Sequence, residues 1–216
     1  GVFAWKSSQP QPLVQVNTTS EERRIPGTLP PKSVAVHPTP TSGVAIAWRS
    51  PFTGEVDISV RISDAHRGGN GVEWILEHDH GLRANVLETG SINSGGTAEV
   101  RVPKAEQSRR GLPVRPGQQL RLIIFSRDNN HVCDLTRVQF RIGEIGGKQR
   151  VWSPKSDFVD NPQIGNPHAD AFGNRDVWTF LHMSRRSNVN VARHDRLNGL
   201  APWFTAWTVQ QEQERE

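Results

Sequence analysis

The stretch GNPHADAFGNRDVW, residues 165–178, places Asn166, His168, Asp170, Asn174 and Asp176 within eleven positions. All five end in oxygen or nitrogen donors. A hard cation such as calcium takes about six to eight oxygen ligands, so the loop is a candidate calcium site with Asp170 at its centre. The spacing is not that of an EF-hand loop, and Pro167 and Gly173 are turn formers. Asn and Asp in such loops also bond to their own backbone, so a turn that pins the next strand is the competing reading. Direct contact with a ligand is the third.

Two further loops carry similar chemistry. SRDNNHVCD, residues 126–134, follows the apolar run LRLIIF and offers Asp128, Asn129, Asn130, His131 and Asp134. Loops at the ends of a β-sandwich are where such folds carry binding groups. The plainer alternative is an inter-strand connection whose Asn residues tolerate positive φ and whose Asp134 caps a turn. SDAHRGGNGVEW brings Asp64, His66 and Asn70 to another connection, where glycines permit close backbone approach to a ligand or simply a tight hairpin. It is not a phosphate loop, because no Lys-Ser/Thr ending and no helix follow. In EHDHG, His78 and His80 lie on one side of a strand and could share zinc with a third ligand, but none is identifiable and a hydrated strand end is simpler.

Of seven tryptophans, Trp48 and Trp74 fall inside strand patterns and belong to the core. Trp152 and Trp178 flank the polar loop, where core packing competes with a stacking platform for a sugar ring. Nucleophilic catalysis has little to work with: there is no Gly-x-Ser-x-Gly elbow, and Cys133, the single cysteine, reads as a small core residue. Glycoside hydrolysis needs two opposed carboxylates, and no spacing among Asp64, Asp128 and Asp170 compels that arrangement.

The elements that must position these groups are strands. In GEVDISVRI, Val56, Ile58, Val60 and Ile62 alternate with Glu55, Asp57, Ser59 and Arg61. TAEVRV and TRVQFRI repeat the pattern, and period two means one face on a core and one in water. Turn clusters such as SPFTG, HRGGNG, NSGG and RDNN separate the runs. The expectation is an all-β, antiparallel sandwich of jelly-roll type over residues 33–183. Residues 1–32, with SSQPQP and IPGTLPPK, read as an extended proline-rich strap laid over it. Residues 184–216 read as a linker and a short helix, with Pro202 at its start and Trp203 and Trp207 sharing a face. Glutamates in its last turn oppose the helix dipole, which fits a helix continuing into a longer parent protein.

The chain has 216 residues, 34% hydrophobic, with 19 Gly and 15 Pro, a composition of many turns and a thin core. No run approaches the roughly 18 apolar residues of a membrane span. The start GVFAWKSS, without Met, suggests a processed protein or a piece of a longer one. The net charge is +4 and the basic residues are mostly arginine, whose fork matches carboxylate or sulfate. The arginines are scattered and Tyr is absent, which argues against nucleic acid. One cysteine allows no intrachain disulfide.

The combination of PPKSVAVHPTP, VAIAWRSPFTGEVDISVRISDAHRGGNGVEWILE, RDNNHVCDLT and GNPHADAFGNRDVWTF resembles an accessory domain of large planctomycete-type secreted proteins. Those proteins also carry cytochrome-c-like domains and domains of unknown function. The resemblance covers about Trp5 to Phe180. It implies a jelly-roll module with a carbohydrate-binding character, exported from the cytoplasm, inside a longer polypeptide. The haem attachment signature needs two cysteines, so this segment holds no haem. The combined expectation is a non-catalytic module whose partner is polysaccharide, anionic or sulfated by the arginines, with calcium ordering one loop. A structural module packed against other domains of its chain is the alternative, and a hydrolase the third.

Overall fold

A computed structural model describes residues 1–6, 11–25, 27–104, 110–160 and 165–184, and the backbone of Thr208–Gln211. Among them the strands are β1 (Val2–Lys6), β2 (Leu13–Asn17), β3 (Arg23–Ile25), β4 (Gly27–Leu29), β5 (Ser33–His37), β6 (Ser42–Arg49), β7 (Gly54–Asp64) and β8 (Val72–Asp79). They continue as β9 (Ala84–Ile92), β10 (Thr97–Val102), β11 (Leu112–Val114), β12 (Gln119–Ser126), β13 (Thr136–Ile145), β14 (Val151–Trp152), β15 (Trp178–Ser184) and β16 (Thr208–Gln211). One π-helical turn, Lys155–Val159, interrupts them.

The chain is an all-β protein of antiparallel sheets. The larger sheet runs β10-β7-β13-β5-β2-β1-β16, with β11 on β7 and β14 on β13; the second runs β15-β6-β12-β8-β9. The alternation in β7 and β13 explains their pairing. Register sets Ile62 opposite Val138, Val60 opposite Phe140 and Ile58 opposite Ile142, so one face is wholly apolar. The other face is charged and solvated, with Arg61–Glu99 and Arg141–Asp57 ion pairs each at 2.9 Å. Between the sheets Trp5, Trp48, Trp152, Trp178, Phe140, Phe158 and Phe180 are fully buried.

The central strands of the second sheet are buried on both faces. Val44, Ile46 and Trp48 of β6 and Leu120, Leu122 and Ile124 of β12 join the main core. Their neighbours Ala45, Ala47 and Ile123 form a separate buried cluster with Leu181 on the opposite face. Runs such as LRLIIF are therefore continuous rather than alternating, as in sheets covered on both sides. Arg121, on that opposite face, is buried between the carboxylates of Glu77, at 3.0 Å, and Asp79.

Two expectations from sequence are corrected here. Residues 1–32 are not a strap over the sandwich: β1 and β2 are inserted in the larger sheet beside β5, and Trp5, Val14 and Val16 are core residues. Of the prolines that suggested a strap, Pro12 immediately precedes β2 and Pro30 immediately follows β4. At the other end, Thr208–Gln211 pairs antiparallel with β1 where a helix was expected. The rest of that expected helix, including Trp203 and Trp207, lies outside the described residues.

Candidate functional site

The 165–178 loop is held from within. Asn166 clamps the backbone of Phe180, donating from Nδ2 to its carbonyl at 2.8 Å and accepting from its amide at 2.9 Å. His168 exchanges backbone hydrogen bonds with Val177 and Trp178. Asp170 is buried, and its carboxylate accepts four N–H donors. Oδ1 takes the amides of Phe172 and Asn174 at 3.0 and 2.8 Å; Oδ2 takes Trp152 Nε1 and Asn174 Nδ2 at 2.6 and 2.7 Å. Each oxygen thus has both lone pairs occupied. These four donors make Asp170 a buried turn anchor, the competing reading of this loop. Of the five candidate ligands, only Asp170 and Asn174 bond to one another; Asp176 is exposed with φ 57°.

Trp152 and Trp178 present no face to a sugar. Both are 0% exposed, so the stacking-platform reading is corrected to core packing. Their indole N–H groups explain their burial beside a polar loop: Trp152 donates to Asp170, and Trp178 to Asp157 Oδ2 at 2.6 Å. Asp157 sits in the π-helical turn and also accepts from Ser156 Oγ and the Ala171 amide. Burial pushes its carboxyl above the usual range despite those donors. Arg150 covers this corner, its guanidinium 4.7 Å from the Phe52 ring centroid and 5.0 Å from that of Trp152. It also pairs with Glu144, whose pKa its hydrogen bonds lower.

His168 is enclosed by Trp5, Phe158 and Phe180, with centroid distances of 5.3, 4.9 and 5.5 Å. Neither ring nitrogen has a hydrogen-bond partner, and burial lowers its pKa to about 4. It is a neutral packing group rather than a ligand. The His78 and His80 rings lie tilted against each other, centroids 3.9 Å apart, around Gln118, which contacts His78 Nε2 at 3.2 Å and His80 Nδ1 at 3.0 Å. A glutamine bridges the two imidazoles, and among the described residues no group of three or more His, Cys, Asp and Glu converges to hold a metal.

The other two candidate loops are brought together. Register continues from β7 and β13 into their connections, where Ala65 N donates to Leu135 O at 2.8 Å, and from β12 and β8, where Arg127 N donates to Gly71 O at 3.3 Å. Asn70 Nδ2 donates to Arg127 O at 3.0 Å and reaches Asp128 Oδ2 at 3.5 Å. Arg127 in turn donates to Asn93 Oδ1 of the β9–β10 turn at 2.6 Å. Asp64 ties the β7–β8 connection to the β9–β10 turn, accepting from the His66 amide at 3.0 Å and the Gly95 amide at 2.6 Å. Asp128, Asn129 and Asn130 stand exposed at the tip, the first two with φ of 50° and 56°. His131 lies half-buried, edge-on to His37 at 5.9 Å.

Three features of this end escape sequence reading. His37 comes from β5 and is buried, its pKa lowered by burial and then by His131 and His66. Cys133 is a half-buried loop residue with φ 62°, not a core residue. Asp134 caps no turn with its side chain: it is Asn130 Oδ1 that accepts the Val132 amide, at 3.1 Å. Both Asp134 oxygens are buried without a partner, and burial plus neighbouring Asp64 push its pKa up to about 7. The Asp128–His131 tip and the 165–178 loop are separate sites. Thr136 of β13 faces Asp64 while Ile142 faces Trp152, and six residues of strand span roughly 20 Å.

Glycine is required where the loops meet. Gly71 has φ +90°, and a Cβ there would collide with the Ile92 carbonyl. Gly71→Ala is expected to destabilise by about 2 kcal/mol or more, combining left-handed strain with backbone displacement. Urea unfolding checks it: an unchanged midpoint would show that the loops are not locked at this point.

No family model, curated protein or solved structure matches the chain.

Proposed function

We propose that this chain is a non-catalytic binding module that recognises polysaccharide through the sandwich end formed by residues 64–71 and 127–134. The observation that supports this reading is the convergence of two polar loops, far apart in sequence, on one interlocked edge. Asp128, Asn129 and Asn130 present their side chains there, and the same loops carry Arg67 and Arg127. Amide, carboxylate and imidazole groups suit sugar hydroxyls, and guanidinium groups suit carboxylate or sulfate substituents. The resemblance to accessory domains of secreted proteins supports an exported parent protein, whose other domains are further partners. With Trp152 and Trp178 buried, this edge works by hydrogen bonding and charge rather than by tryptophan stacking.

Affinity electrophoresis against neutral and sulfated polysaccharides tests the reading. The wild-type chain is expected to be retarded selectively. Asn129→Gly with His131→Ala should abolish retardation while shifting the melting temperature by only about 2 °C, since Gly keeps the positive φ. Retardation that survives the double substitution moves the site elsewhere. No retardation of the wild type by any polymer favours a structural module packed against other domains, and turnover of chromogenic glycosides would favour a hydrolase.

A further inference from the structure

Among the described residues, several buried polar atoms without a hydrogen-bond partner lie on the two loops that meet here. Asp134 Oδ1 and Oδ2, Asn70 Oδ1 and His66 Nδ1 are all buried without a hydrogen-bond partner. A buried acceptor left unpaired costs about 1–3 kcal/mol, more for a charged one, so a cluster of them calls for a donor or a cation. Asp134 is 2% exposed and faces the glycine loop: its Oδ1 lies 3.0 Å from where a Gly69 Cβ would stand. That same Cβ would collide with the Val132 carbonyl, so the Gly69 backbone lies against both oxygens. Asp64 is close enough to Asp134 for their charges to interact. Its own oxygens each accept one amide, from His66 and Gly95, which leaves a lone pair on each.

We propose that the junction of residues 64–70 and 132–134 is a calcium site, with Asp134 as principal ligand and Asn70 Oδ1 and Asp64 as further oxygen donors. The inference goes beyond polysaccharide recognition and does not depend on it. Oxygen dominates the orphaned acceptors, and calcium accepts a flexible, irregular oxygen set completed by carbonyls and water, whereas magnesium demands a near-ideal octahedron. The ion supplies the positive charge that two neighbouring carboxylates lack, since Arg127 is turned to Asn93 and Asp128.

The test is thermal unfolding of the full chain at pH 8, after chelator treatment, with calcium, magnesium or zinc added back. At a dissociation constant of about 10⁻⁴–10⁻³ M, 10 mM calcium should raise the melting temperature at pH 8 by roughly 5 °C. Asp134→Asn should fold at least as well as the stripped wild type, having lost an unpaired buried charge, and should show no calcium shift. Asp170→Asn, at the other loop, should keep it. An absent shift in the wild type overturns the proposal, as does an equal shift in Asp134→Asn or a response to zinc in place of calcium. Binding of polysaccharide is read separately, so either idea can fail alone.

Discussion

Asp170→Ala is expected to lower the melting temperature by about 10 °C or more, and by the same amount in calcium and in chelator. The substitution removes the acceptor of four N–H groups, one of them the indole of fully buried Trp152. Hydrogen bonds to a charged acceptor contribute about 1.5–3 kcal/mol each, and each stranded buried donor costs about 1–3 kcal/mol. Phe172 and Asn174 lie near the surface, so their amides can turn to water; the Trp152 indole cannot. A net loss of about 3–5 kcal/mol follows. For a chain of this size each kcal/mol moves the melting temperature by about 2–4 °C. The alanine variant should also disturb the entry to β15, because the loop that delivers Trp178 is organised around this carboxylate. Calorimetry decides the matter. A destabilisation present in calcium and absent in chelator would restore Asp170 as an ion ligand.

His168→Phe is expected to flatten the acid limb of the stability profile. The imidazole is sealed among aromatic rings with both nitrogens unpartnered, and its pKa is lowered from 6.5 to about 4. The unfolded chain takes up a proton below pH 6.5 that the folded state refuses until about pH 4. Stability contributed by neutral His168 is therefore complete above pH 6.5 and is lost as the pH falls towards 4, by on the order of 3 kcal/mol. Phenylalanine fills the space without a proton to take up, and the backbone bonds of residue 168 to Val177 and Trp178 remain. His78, also lowered to about 4, keeps its share of the slope in the variant. Asp134 works with the opposite sign. Its pKa is raised to about 7, so its contribution grows as the pH falls from 7 towards 4. Guanidinium unfolding at pH 7.5 and 4.5 separates these effects. The wild-type loss between the two pH values should exceed that of His168→Phe, and equal losses would show that the buried imidazole does not carry the acid sensitivity.

Reading the sequence alone was sufficient for the strands whose faces differ. β7, β10 and β13 alternate because one side meets Phe140 and its neighbours and the other meets water, and period two follows from the pleat itself. The core placement of Trp48 and Trp74 was legible for the same reason. The strands β1 and β2 were not: they are five residues each, and the prolines around them drew the eye to irregular structure. The Asn70, Asp128–Asn130 and His131 loops were legible as polar sandwich ends, though not as neighbours of each other.

What the amino-acid order determined by itself is local: where chains extend, where they turn, and which short segments hold donors and acceptors. What only the tertiary structure decided is which of those groups are already satisfied. Asp170 and Asp134 look alike in sequence, each an acid in a polar loop. Folding gives the first two indole and amide donors from Trp152 and Asn174 among its four, and leaves both oxygens of the second buried without a hydrogen-bond partner. The difference arises because those partners are fixed by long-range strand register and by which side chains the core draws inward, and neither is encoded within the loop itself.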